Sequence, residues 1–112
     1  FLQPAALKGM NMMKEYILLM HSDVRDQHSA DDSHNWDNYL STLRGSGQFD
    51  GGSVIGQGQR YNKHSTEQQA DTDISGFIRI RAENLQAARQ LLAGNPVYEA
   101  GGLVEIREVL PH

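Results

Sequence analysis

An α+β domain built on one antiparallel sheet is the fold this sequence predicts, and three stretches carry the prediction. Gly76-Phe77-Ile78-Arg79-Ile80-Arg81 alternates between apolar and charged side chains, and so does Leu103-Val104-Glu105-Ile106-Arg107-Glu108-Val109. Between them, Asn84 to Ala93 has helical spacing. Strands with a period of two reserve one face for a core, and a helix joining them is the natural cover for that face.

Taken in order, Glu15-Tyr16-Ile17-Leu18-Leu19-Met20 is an apolar run of strand length and predicts an interior strand covered on both sides. His21, Ser22 and Asp23 follow at its carboxyl end, where the chain turns polar. The aspartate-rich segment Val24 to Ser33 reads as a loop. A helix follows, with Asp32 or Ser33 as N-cap and Trp36, Tyr39, Leu40 and Leu43 on one face, until Gly45 and Gly47 stop it. Between Gln48 and Gly58 the Val54-Ile55 pair centres a short strand, and the glycines around it mark bends or close backbone approach. The polar stretch Arg60 to Asp73 is the outer part of a hairpin or a flap, with a weak strand at 60–63. In the next strand Ile78 and Ile80 share one face, while Phe77, Arg79 and Arg81 share the other. The second helix has Asn84 as N-cap and Leu85, Ala88, Leu91 and Leu92 as its apolar stripe; Gly94 ends it and Pro96 blocks its continuation. The last strand places Val104 and Ile106 on one face, and Leu103, Glu105, Arg107 and Val109 on the other. The order βαββαβ is that of a ferredoxin-like plait, with both helices on one face of the sheet.

That arrangement leaves Phe77, Leu103 and Val109 beside Arg79, Glu105 and Arg107 on the uncovered face. Such a mixed surface suits pairing with a second copy, so the expected partner is a homodimer formed through the open sheet face, an assembly resembling a dimeric αβ barrel. The same arginines would hold a small acidic ligand at or near that contact. Bulk properties narrow the function further. The 112 residues allow one domain, the formal charge of -4 argues against nucleic-acid binding, and the absence of cysteine excludes disulfides and thiolate chemistry. No apolar run reaches the roughly 18 residues of a membrane span, so a cytoplasmic protein with no membrane partner is expected. The first dozen residues, from Phe1 to Met12, read as a leader outside the domain at 13–112.

Five histidines raise the question of chemistry. His21, His28 and His34 lie too far apart in sequence to form a same-helix metal pair, and H-E-x-x-H is absent, so no metal or other cofactor is expected and the acidic segment reads as a solvated loop. Gly51-Gly52 lacks the spacing and terminal lysine of a phosphate-binding loop. His21 is the strongest single candidate, because it ends a strand on a rigid scaffold that can aim a side chain. Trp36 is either a core anchor or the wall of a ligand pocket.

Across nearly everything after residue 12, the chain resembles the YCII-related proteins, including the branch with a DGPF-like middle segment. The matching pieces are Lys14-Glu15-Tyr16-Ile17-Leu18-Leu19-Met20-His21, Trp36-Asp37-Asn38-Tyr39-Leu40, Gly51-Gly52, Ser75-Gly76-Phe77-Ile78-Arg79-Ile80, Ala87-Ala88-Arg89, Asn95-Pro96 and Val104-Glu105-Ile106-Arg107-Glu108-Val109. The resemblance implies the ferredoxin-like fold, a dimer, a histidine/aspartate active site and a distant similarity to muconolactone isomerase-like and dehalogenase-like enzymes. Trp36 stands where the family often has histidine, Asn95 replaces an aspartate before the late proline, and the DGPF tetrapeptide is absent. An indole is no proton-transfer base, and a carboxamide carries no charge with which to orient an imidazolium. His21 and Asp23 are therefore the expected catalytic pair, with Trp36, Arg79, Asn95 and Arg107 as ligand-binding residues. The reaction expected is cofactor-independent acid/base chemistry on a small anionic or lactone-like metabolite; the alternatives are a non-catalytic small-molecule binding or regulatory dimer and a structural or protein-interaction module.

Overall fold

The computed structural model describes residues 13–23, 27–64, 68–69 and 74–111. The expected leader at 1–12, positions 24–26 of the acidic segment, 65–67 and 70–73 of the outer polar stretch, and His112 lie outside the described residues. Among those described, the strands are β1 (Lys14–His21), β2 (Phe49–Val54), β3 (Gln59–Arg60), β4 (Gln68–Gln69), β5 (Ile74–Ala82) and β6 (Val104–Val109). The helices are α1 (Gln27–Asp31), α2 (Ser33–Ser46), α3 (Leu85–Gln90) and α4 (Pro96–Glu99). Four strands form one antiparallel sheet in the order β2-β5-β1-β6, and β3 pairs with β4 in a separate two-stranded unit.

One face of the sheet forms the core. Tyr16, Leu18 and Met20 of β1 alternate with half-buried Ile17 and Leu19, and the register sets them against Ile80, Ile78 and Gly76 of β5. Tyr39 and Leu43 of α2, Ala88 of α3, Leu92 in the turn that follows α3, and Val97 of α4 complete the same apolar cluster, so the helices cover this face. Each aliphatic side chain buried there contributes about 1.5–3 kcal/mol before conformational entropy is counted. The opposite face keeps Ile17, Leu19, Phe77 and Val109 half-buried, and the continuous apolar run of β1 is therefore not enclosed on both sides within one chain.

Local signals set the helix ends. Asp32 caps α2 by accepting the Asn35 N–H, and Gly47 closes it in the left-handed region at φ +74°, its N–H donating to the Arg44 carbonyl. In β2, Gly51 takes φ +104° at an irregularity between Phe49 and Gly52, and a Cβ on Gly52 would stand 2.3 Å from the Phe77 carbonyl oxygen. These glycines therefore serve close strand pairing.

Several expectations need correction. The segment taken as a loop contains α1, and Trp36 Nε1–H donates to its Ala30 carbonyl at 2.6 Å. Val54 ends β2 rather than centring it and is almost fully exposed, and Ile55 lies beyond the strand. The weak strand at 60–63 reduces to Gln59–Arg60. The helix starting after Asn84 stops at Gln90, and Leu85 faces solvent rather than the core. Pro96 does not merely block a helix: it opens α4 as the first helical residue, where a missing N–H costs nothing.

Candidate functional site

The carboxyl end of β1 is the chemically distinctive place. The β1–β5 ladder runs regularly from Lys14↔Ala82 to Met20↔Gly76, then pairs His21 with Ile74 and leaves Ser75 as an extra residue. The Ser75 hydroxyl donates to the Met20 carbonyl at 3.3 Å, and His21 N–H donates to the Leu103 carbonyl at 3.0 Å. A bulge of this kind re-aims the side chain beside it. Here it fixes the backbone of His21 between β5 and the entrance to β6.

The His21 ring is buried, with 6 % of the residue exposed, and neither Nδ1 nor Nε2 has a hydrogen-bond partner. Nε2 lies 3.5 Å from Glu105 Oε1, within ion-pair reach but outside hydrogen-bond geometry. Glu105 faces Leu19 across the β1–β6 ladder, and the strand period puts it on the same open face as His21. Its other oxygen, Oε2, accepts from Arg107 Nε. The Arg107 hydrogen bond is the main cause that holds the Glu105 carboxyl below its ordinary value; desolvation opposes it and the nearby imidazole adds to it.

A depressed carboxylate pKa stabilises the folded chain above the ordinary carboxylate range, and that contribution disappears as the pH falls through the folded value. Arg107 is largely in solvent, so screening keeps the contribution small. Replacing Arg107 with Gln is expected to raise the Glu105 titration midpoint towards the ordinary value, as read from its carboxyl 13C resonance. An unchanged midpoint would contradict the pairing.

The other expected site residues are placed differently. Asp23 is exposed, and its Oδ1 accepts the Leu103 N–H at 2.9 Å, so it pins the entrance of β6 instead of contacting His21. Arg79 lies 3.4 Å from Glu15 across the open face. Asn95 is fully buried in the helix layer; its Oδ1 accepts the Tyr98 N–H and its Nδ2 donates to Met20 Sδ at 3.6 Å. Trp36 is half-buried, edge-on to Tyr39, with its N–H already engaged. Burial pushes the Tyr39 hydroxyl above its ordinary pKa, against a smaller opposing effect from Asn95, and this hydroxyl donates to the Leu91 carbonyl. The structure thus brings His21 together with Glu105 and Arg107, and places Trp36 and Asn95 in the helix layer.

Two clefts open in that layer. One of about 370 Å³ is lined by residues including Asn35, Asn38, Pro96 and Glu99, and one of about 410 Å³ by His28, Ser29, Asp31 and Asp32. Neither is lined by His21. Among the described residues, no three His, Cys, Asp or Glu side chains converge as a metal-binding set.

Sequence reasoning passed over Glu105 as a partner for His21, and also the Arg81 fork, whose Nε donates to both Asp50 oxygens and whose terminal nitrogen donates to the Gly47 carbonyl. The alternation in β6 already put Glu105 beside Arg107, but its proximity to His21 depends on strand register. The family model of the YCII-related domain matches residues 13–112. No curated protein matches the chain.

Proposed function

The chain belongs to the YCII-related domain family, and from that membership we propose a cofactor-independent acid/base role for His21 on a small anionic or lactone-like metabolite. The observation that carries it is a buried imidazole with both nitrogens free of hydrogen bonds and a carboxylate 3.5 Å away. Buried polar groups are nearly always satisfied, so an exception calls for an explanation, and a catalytic role is one of those available. An imidazole is also the side chain best suited to exchange protons near neutral pH.

In this reading the four-stranded sheet and its helices are a ferredoxin-like plait, close to the DGPF-like branch of the family, in a cytoplasmic homodimer joined through the open face. Support for the pairing comes from the half-buried Ile17, Leu19, Phe77 and Val109, interspersed with the ion pairs Arg79–Glu15, Arg81–Asp50 and Arg107–Glu105. Because each of these arginines already has a carboxylate, an anionic ligand at Arg79 or Arg107 would have to displace one, so affinity for it would be modest. Asp23 serves this site indirectly, by fixing the Leu103 backbone that receives the His21 N–H.

The test is deuterium incorporation from D2O into a panel of unsaturated γ-lactones and 2-oxo acids, followed by proton NMR with the full chain. The expected result is exchange at a carbon next to a carbonyl that His21→Ala lowers at least about 100-fold, the usual scale of general acid/base catalysis. Equal exchange in the wild type and the variant would remove His21 from the chemistry. A second reading, a non-catalytic binding or interaction dimer, is favoured by the shielding of both ring nitrogens from solvent. It predicts ligand-induced shifts near His21 without deuterium incorporation.

A further inference from the structure

The proton-transfer reading leaves open what orients the imidazole, since Asp23 and Asn95 are both committed elsewhere. Asp23 binds the Leu103 N–H, and Asn95 caps α4 from the helix layer. Glu105 satisfies the geometric requirements that they miss. It shares the open face with His21, its Oε1 is the carboxylate oxygen 3.5 Å from Nε2, and Arg107 holds Oε2 so that the carboxylate is presented in one orientation.

Resting on the proton-transfer reading above, we propose that Glu105 is the positioning residue for His21, drawing the ring proton to Nε2 and leaving Nδ1 as the basic atom. A base oriented by a third group is the recurring logic of activated sites, and the partner of one imidazole nitrogen decides which tautomer is present. A separation of 3.5 Å is long for a hydrogen bond, but such contacts commonly tighten when a substrate is engaged. Both ring nitrogens are shielded in the free chain, so the proton cycle begins when substrate binding uncovers Nδ1. Nδ1 then takes a proton from carbon, the imidazolium charge forms beside Glu105, and the same nitrogen returns the proton to the substrate. The protein ends the cycle unchanged.

The direct experiment is a long-range 1H–15N correlation spectrum of the histidine rings in the full chain. Wild-type His21 is expected to show the neutral Nε2–H tautomer. Glu105→Gln, which keeps an acceptor oxygen, should retain its ring N–H resonance, whereas Glu105→Met, of similar length but without an acceptor, should lose it to exchange. Asp23→Asn should leave it in place. Glu105 is partly exposed on an edge strand, so the Met variant has room to fold. A wild-type Nδ1–H tautomer, a resonance that survives in Glu105→Met, or one lost in Asp23→Asn would each overturn the assignment. Deuterium exchange separates this from the parent reading. If the ring resonance follows Glu105 while His21→Ala exchanges normally, positioning stands and catalysis fails; if His21→Ala abolishes exchange while the resonance ignores Glu105, the reverse holds.

Discussion

Asn95→Asp is expected to destabilise the domain by about 3 kcal/mol at neutral pH, the upper end of the cost of an unsatisfied buried polar group. Asn95 has no exposed surface. An aspartate there keeps the acceptor for the Tyr98 N–H, but its second oxygen replaces a donor and meets Met20 Sδ, which has no proton to give. Burial favours the neutral acid, so the carboxyl would titrate above its unfolded value of about 3.9. The penalty is therefore complete above the folded midpoint and fades as the pH falls towards the unfolded one. Urea unfolding at pH 7 and pH 4 checks this: the gap between variant and wild type should narrow at the lower pH. Equal stability at pH 7 would show that the layer behind Met20 is not sealed.

Leu18→Ala should have the largest effect on stability, about 2–5 kcal/mol, because it removes the centre of a close-packed cluster and leaves a cavity. Leu18 is fully buried on the central strand, between Ile78 on β5 and Ile106 on β6. At about 4–8 °C per kcal/mol for a domain of this size, the Tm should fall by at least about 8 °C. Leu85→Ala is the control, since a substitution at an exposed position normally stays within about 0.5 kcal/mol. Comparable losses for the two variants in thermal denaturation would contradict the described core.

Much of the sheet was legible in the sequence because alternation is a local property. Ile78 with Ile80, and Val104 with Ile106, mark their strands and their inward faces without any knowledge of neighbours. Caps are also local, and Asp32 and Asn84 act as expected. What escaped was either ambiguous or non-local. Asn-Pro reads equally as a helix stop and as an N-cap followed by the first residue of a new helix; the choice depends on the Tyr98 N–H reaching Asn95. Leu85 fits a helical stripe, but α3 is too short to turn all of that stripe towards the sheet. At the candidate site, His21 was visible as a polar residue ending an apolar strand. Its neighbour Glu105 follows it by more than eighty positions in sequence and comes close only through the β1–β6 register, which no spacing rule gives. Asp23, close in sequence, was the natural choice, and the strand turn points its carboxylate at Leu103 instead.

His21, Glu105 and Arg107 all lie on the sheet face away from the helices, the same face through which the proposed homodimer would pair. Sedimentation equilibrium of the full chain tests this most directly. It should give a mass of about twice 12.5 kDa at micromolar concentration, and Leu19→Glu, which puts a charge at the middle of the face, should halve it. A wild-type chain that remains a single 12.5 kDa species as its concentration is raised would contradict the account.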